Sequence, residues 1–143
     1  MISQTIHLLV VEDNSDDVFF LKRALDRLGI TCQISFALTG AEAVDFLSSK
    51  LGSRSSDPHE SALPTHVLLD LKLPMKSGLE VLEWMRARPE LSAIPVVVFS
   101  SSQELSDIAR AKSLLIDSYH VKPTGMTEYQ KAVEEIARSW KLL

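Results

Sequence analysis

The chain has one cysteine, Cys32, and five glycines. A lone cysteine closes no internal disulfide and cannot build a cysteine-based zinc site. The glycines are not clustered. Neither G-x-G-x-x-G nor G-x-x-x-x-G-K-[ST] occurs, which removes the usual loops that cradle nucleotide phosphates. A basic excess is also missing: 15 Lys and Arg stand against 19 Asp and Glu, net −4, so direct nucleic-acid binding is not expected. No apolar run approaches the roughly 18 residues that would cross a bilayer. The opening stretch MISQTIHLLVVEDN has no basic n-region and meets Glu12 and Asp13 too soon for a secretory signal, so a cytoplasmic protein is expected. What is present is 143 residues, 45% hydrophobic and 24% charged, enough for one domain with a real core.

Short apolar runs alternate with helical periods along the whole chain. His7 to Val11, Val67 to Leu69 and Ile94 to Phe99 lack polar alternation, as expected of strands covered on both faces. Cys32 to Phe36 and Ser118 to Val121 are weaker strand candidates. Val18, Leu21, Leu25 and Leu28 form a helical stripe that stops at Gly29. Thr39-x-x-Glu42, Ser77-x-x-Glu80 and Ser101-x-x-Glu104 read as capping boxes that open three more helices. Met126, Tyr129, Val133, Ile136 and Trp140 make the apolar face of a last helix. Five successive βα units predict an α/β fold. Right-handed crossovers make it a doubly wound five-stranded parallel sheet, order 2-1-3-4-5, a flavodoxin-like three-layer sandwich. The polar stretch from Lys50 to Pro64 reads as a surface loop.

In such a sheet, ligands bind at the carboxyl ends of the strands. Here those ends carry Glu12 and Asp13, Asp70, Ser100 and Lys122. Taken singly, each is an ordinary turn or cap residue. Together they make one chemical set. Three close carboxylates repel one another and call for a hard divalent cation such as Mg²⁺. The hydroxyl and the ammonium then suit a phosphoryl group.

These residues resemble a known family, the receiver domain of two-component response regulators. The resemblance is carried by Glu12-Asp13, by the run L-L-D-L-K-L-P-M-K-S-G with Asp70, Pro74 and Gly78, by Ser100, and by Lys122-Pro123 with Tyr119 three residues earlier. It covers nearly the whole chain. The resemblance implies that Asp70 is the phosphoacceptor for a sensor histidine kinase. It implies Mg²⁺ held by Asp13, Asp70 and the Lys72 carbonyl, with Glu12 in support through water. Lys122 and Ser100 would meet phosphoryl oxygens, Tyr119 would act as an aromatic switch, and the Lys122–Pro123 bond would be cis. Glu12 stands where Asp is commoner, and Lys72 where many receivers have a smaller polar residue. VEDNSDDVFFLKRAL, the long polar loop and the aromatic last helix further resemble stand-alone receivers that partner phytochrome-type kinases.

Residues 1–143 are accordingly expected to be a receiver domain alone, with output through a partner that distinguishes the phosphorylated state. Neither separate substrate turnover nor membrane attachment is expected. The C-terminal W-K-L-L leaves Leu142 and Leu143 past the expected core. With the resemblance, it points to a homodimer through the last two helices and the strand carrying Tyr119. Of Phe19 and Phe20, at least one should be exposed, either as a scattered surface aromatic or as a kinase contact. The histidines at 7, 59, 66 and 120 show no metal spacing. Trp84 reads as lying on a helix surface and Cys32 as a buried apolar residue. Two other readings compete: a phosphate-independent adaptor, and an aspartyl-phosphate hydrolase of the haloacid-dehalogenase type. The hydrolase needs a second Asp two residues after the nucleophile, and Lys72 stands there.

Overall fold

The computed structural model describes residues 6–51 and 62–143. Five strands and five helices alternate: β1 (His7–Val11), α1 (Ser15–Arg27), β2 (Gln33–Ala37), α2 (Gly40–Leu51), β3 (His66–Leu69), α3 (Gly78–Arg86), β4 (Val96–Ser100), α4 (Leu105–Ser113), β5 (Ser118–Val121) and α5 (Met126–Ser139). The strands form one parallel sheet, ordered β2-β1-β3-β4-β5, the expected topology. Of the polar stretch from Lys50 to Pro64, the part from 52 to 61 lies outside the described residues, and Lys50 and Leu51 belong to α2.

Alternate residues of the central strands feed two separate cores. Leu9, Val11, Val67, Leu69, Val96 and Val98 face α2, α3 and α4, where they meet Ala43, Leu47, Val81, Leu82, Met85 and Ala111. Leu8, Val10, Leu68, Val97 and Phe99 face α1 and α5, against Leu21, Leu25, Tyr129, Val133 and Ile136. β1 and β4 are buried at every position, which is why they read as apolar runs without alternation, with only His7 at the start of one and Ser100 at the end of the other polar. Each fully buried Leu or Val contributes about 1.5–3 kcal/mol relative to an exposed one.

The helix ends explain where each element stops. α1 ends in a Schellman turn. Gly29 adopts φ 71, its N–H bonds the Asp26 carbonyl at 3.1 Å, and Ile30 N–H bonds the Leu25 carbonyl at 3.0 Å. Thr39 and Ser77 cap as expected, accepting from Glu42 N–H at 3.0 Å and Glu80 N–H at 3.2 Å. Ser101 does not. α4 begins only at Leu105, because Ser102 takes over the turn: its hydroxyl donates to Asp107 at 2.7 Å and accepts from Glu104 N–H at 3.4 Å.

Three smaller expectations are corrected. Leu142 is not past the core. Lys141 takes φ 60, and Leu142 N–H bonds the Ala137 carbonyl at 2.8 Å, folding the half-buried Leu142 against an apolar pocket with Leu8, Leu25 and Ile136. Leu143 remains exposed. Cys32 sits just before β2 and is only half-buried. The Lys122–Pro123 bond is trans. Lys122 N–H continues the β5 ladder to the Ser100 carbonyl, and its long side chain reaches the acids from there without a cis bond. Phe19 is exposed while Phe20 packs against the α1/α5 core. Trp84 is half-buried, with the Arg88 guanidinium 4.1 Å from its ring centroid.

Candidate phosphoacceptor site

The sheet ladder itself places the site. Glu12 N–H bonds the Ala37 carbonyl, Asp70 N–H the Val11 carbonyl and Lys122 N–H the Ser100 carbonyl, at 3.0, 3.1 and 2.9 Å. Glu12, Asp70 and Lys122 are thus held by backbone pairing one step beyond their strands, and Ser100 is the last residue of β4. Gly78 fixes the other side: a Cβ there would run into the Asp70 carbonyl and the Leu71 Cα, so only glycine lets α3 start this close to Asp70.

The side chains converge on one ammonium. Lys122 Nζ donates to Glu12 Oε1 at 2.7 Å, Asp70 Oδ2 at 2.9 Å and Asp17 Oδ2 at 3.1 Å. Its three N–H groups therefore meet three carboxylates. The other Asp70 oxygen, Oδ1, accepts from Lys72 N–H at 3.1 Å. Glu12, Asp70 and Ser100 are buried, whereas Asp13 is exposed. Ser100 Oγ accepts from Ser102 N–H at 3.3 Å.

Burial and pairing split the two buried acids. Burial, then the hydrogen bond shared with Asp70, pushes the Glu12 carboxyl up to about 9. Burial acts the same way on Asp70 but is outweighed by hydrogen bonds from Glu12, Ser100 and Lys122 and by the lysine charge, which hold its carboxyl below the usual range. Lys122 is opposed by burial yet held firmly protonated by Glu12 and Asp70.

Glu12, Asp13 and Asp70 each place an oxygen within 4.8 Å of the others. With Asp17, four acids gather at this end of the sheet, and Lys122 pairs with three of them, Glu12, Asp17 and Asp70. That excess of hard oxygen donors fits a divalent cation of the Mg²⁺ or Mn²⁺ kind.

Of the residues expected from sequence, Glu12, Asp13, Asp70 and Lys122 come together, and Ser100 and Lys72 adjoin them. Glu12 points at Lys122 in this structure. Tyr119 lies farther out. Its hydroxyl donates to the Ser102 carbonyl at 2.8 Å, on the loop that follows Ser100. The Lys72 side chain turns to the start of α4, 3.5 Å from Asp107 and 3.7 Å from Glu104.

Three participants escaped the sequence reading. Asn14 caps α1, accepting from Asp16 and Asp17 N–H at 2.9 and 3.1 Å. Asp17 reaches Lys122 from the first turn of that helix. Tyr129, read as core, also donates its hydroxyl to the Asp17 carbonyl at 3.1 Å. An N-cap signal at Asn14 would have found Asp17, because it sets which first-turn residues face the strand ends.

Comparison with known proteins gives the same direction. Residues 8–134 match the response regulator receiver domain. The chain is 39% identical over 133 residues to the probable methanogenesis regulatory protein FilR2 of Methanothrix harundinacea, covering 93% of this chain and 82% of that protein. It is 31% identical to the response regulator Rcp1 of Synechocystis, covering 93% and 87%. Among solved structures, the phosphorylated cyanobacterial phytochrome response regulator RcpA matches with a TM-score of 0.84 at 29% identity, over 96% of this chain and 95% of that one. The Mn²⁺-bound form of Rcp1 matches with a TM-score of 0.82 at 30% identity, over 94% of each chain. With a five-stranded sheet in the order 2-1-3-4-5, buried Glu12 and Asp70 on one lysine, and a family match over most of its length, this chain belongs to the response regulator receiver domain family of two-component signalling.

Proposed function

We propose that the chain takes a phosphoryl group onto Asp70 from a sensor histidine kinase and signals through the resulting conformational change. The observation that carries this is geometric: the Lys122 ammonium lies 2.9 Å from a buried Asp70 oxygen and 2.7 Å from Glu12, while Glu12, Asp13 and Asp70 are close enough to share a cation. An Asp70 oxygen attacks the phosphorus of the donor phosphohistidine. The new P–O bond forms as the P–N bond breaks, and the imidazole leaves with its electron pair and takes up a proton. With acetyl phosphate as donor, acetate leaves instead. Lys122, already on Asp70, meets the incoming charge of the phosphoryl oxygens, and Ser100 offers its hydroxyl to another. Asp13, Asp70 and the Lys72 carbonyl would hold Mg²⁺, with Glu12 in support through water. A bound cation neutralises charge on the transferring phosphoryl group. The side chain of Lys72, engaged with Asp107 and Glu104, leaves no acid two residues after Asp70, which disfavours the hydrolase reading. Release of the phosphoryl group is then slow self-hydrolysis rather than turnover of a separate substrate.

The receiver domain spans most of the chain, and the match covers 82% and 87% of the FilR2 and Rcp1 lengths. The kinase is of phytochrome type, supported by the relatives named as phytochrome response regulators. The domain works in the cytoplasm without membrane attachment: among the described residues, no helix is long and apolar enough to cross a membrane. It contacts no nucleic acid itself, in keeping with its net charge of −4. It forms a homodimer through α4, β5 and α5, where Leu115 and Val121 are exposed. Tyr119, anchored on the loop after Ser100, carries the phosphorylation state to that surface.

Incubation with acetyl phosphate and Mg²⁺, followed by intact mass, tests the core of this reading. The wild type should gain one phosphoryl group and Asp70→Asn none. An equal gain in the variant would overturn the assignment. Asp13→Ala should stay folded and lose Mg²⁺ affinity by calorimetric titration. Unchanged affinity would remove Asp13 from the cation site.

A further inference from the structure

Lys122 is held by two kinds of carboxylate. Glu12 and Asp70 belong to the three-acid cluster that suits a cation. Asp17 does not: it reaches the ammonium from α1, outside that cluster, at 3.1 Å. Its backbone is fixed on both sides, by the Asn14 side chain on its N–H and by the Tyr129 hydroxyl on its carbonyl. Tyr129 is itself buried, with its ring 5.1 Å from Phe99 and 5.8 Å from Phe20. A first-turn aspartate on a frayed helix would be a poor anchor, and this one is rigidly mounted.

We propose that Asp17 is a positioning residue for phosphoryl transfer, the carboxylate that keeps the Lys122 ammonium beside Asp70 when the other two acids are otherwise engaged. The inference rests on the phosphoacceptor reading of Asp70. Once a cation draws on Glu12 and a phosphoryl group occupies Asp70, two of the three partners of Lys122 are committed elsewhere. Asp17 is the partner that stays. A lysine head on a flexible four-carbon stem otherwise explores many rotamers, and each must be given up again as charge develops on the phosphoryl oxygens. Asp17 does not draw the lysine away from the reacting atom, because the same Nζ is 2.9 Å from Asp70 Oδ2 while it touches Asp17. It holds the ammonium where the new charge appears, which is a contribution to orientation.

The test compares the full chain with Asp17→Asn, Asp17→Glu and Tyr129→Phe. Phosphorylation rates are followed by intact mass across a range of acetyl phosphate concentrations at saturating Mg²⁺. Mn²⁺ affinity is measured in parallel by electron paramagnetic resonance. Asp17→Asn should lower the maximal rate about tenfold, leave half-saturation by acetyl phosphate unchanged, and keep wild-type Mn²⁺ affinity. Asp17→Glu should recover part of the rate, and Tyr129→Phe should show a smaller loss. An Asp17→Asn protein that phosphorylates at the wild-type rate overturns the proposal. A loss of Mn²⁺ affinity that accounts for the slower rate also overturns it, by placing Asp17 among the cation ligands. A wild-type chain that gains no phosphoryl group at all overturns the phosphoacceptor reading first, and the role of Asp17 with it.

Discussion

The two edges of the sheet are closed by opposite chemistry. At the carboxyl ends of the strands, Glu12, Asp70 and Asp17 crowd around Lys122, with Glu12 and Asp70 almost completely out of water. At the amino ends the contacts are mostly neutral. Thr65 Oγ accepts from His7 N–H at 3.0 Å and lies 2.8 Å from His66 Nδ1, and His7 Nε2 is 2.7 Å from Ser35 Oγ. Trp140 covers this edge, its ring 4.8 Å from the His66 ring and its indole N–H donating to Asp117 at 2.8 Å. Burying charges is costly even when they are paired, and a neutral network would close the carboxyl edge more cheaply. The amino edge shows what this fold does when stability alone decides. The charged edge is held at some expense because its acids are arranged for something that arrives from outside.

Removing the shared cation should expose that expense most strongly. Lys122→Met leaves Glu12 and Asp70 buried without their ammonium and should lower apo stability by about 3 kcal/mol, the scale for breaking a buried ion pair. Millimolar Mg²⁺ should restore much of it. Denaturant midpoints with chelator and with Mg²⁺ measure both effects, and a variant as stable as wild type in chelator would contradict the contrast between the edges. A change at the opposite edge should be smaller and purely structural. Trp140→Phe removes the bond to Asp117 and should cost about 1 kcal/mol with no change in phosphorylation rate, checked by the same denaturation and mass assays.

The weakest expected effect is a pH dependence of the amino edge. Burial lowers the carboxyl-edge-distant His7 and His66 below their ordinary value, with Lys50 adding to the effect at His7 and Asp117 opposing it at His66. The unfolded chain therefore takes up protons at these positions before the folded one does. Their contribution to stability is complete well above pH 6.5 and is lost as pH falls through that value. Glu12, raised by burial, works in the other direction, and His120, lowered by burial, in the same one, so the measurement belongs in a Glu12→Gln, His120→Gln background. Denaturant midpoints in that background should fall between pH 7.5 and 5.5, and a midpoint that rises would contradict the assignment.

Much of this was legible in the sequence, for a physical reason in each case. β1 and β4 are covered on both faces, so their residues read as apolar runs with no alternation. Glu12, Asp13, Asp70, Ser100 and Lys122 lie where parallel strands end, so topology alone brings them to one edge. What was hidden depends on local geometry with no compositional mark. Asp17 looked like any acid in a helix's first turn, and only the Asn14 cap sets its direction. Ser102 displaced Ser101 at the start of α4 through a hydroxyl bond that the capping-box pattern does not distinguish. Leu142 returns to the core through a left-handed Lys141, a conformation nothing about lysine announces.

Asp70, rather than a neighbouring acid or Ser100, is proposed to receive the phosphoryl group. Trapping with borohydride tests it most directly. An aspartyl phosphate is reduced to homoserine, so chain phosphorylated by acetyl phosphate in Mg²⁺ is treated, digested and sequenced by mass spectrometry. Homoserine is expected at position 70 and nowhere else. Homoserine at position 13 or 17, or an intact phosphoserine at position 100 with Asp70 unmodified, would contradict it.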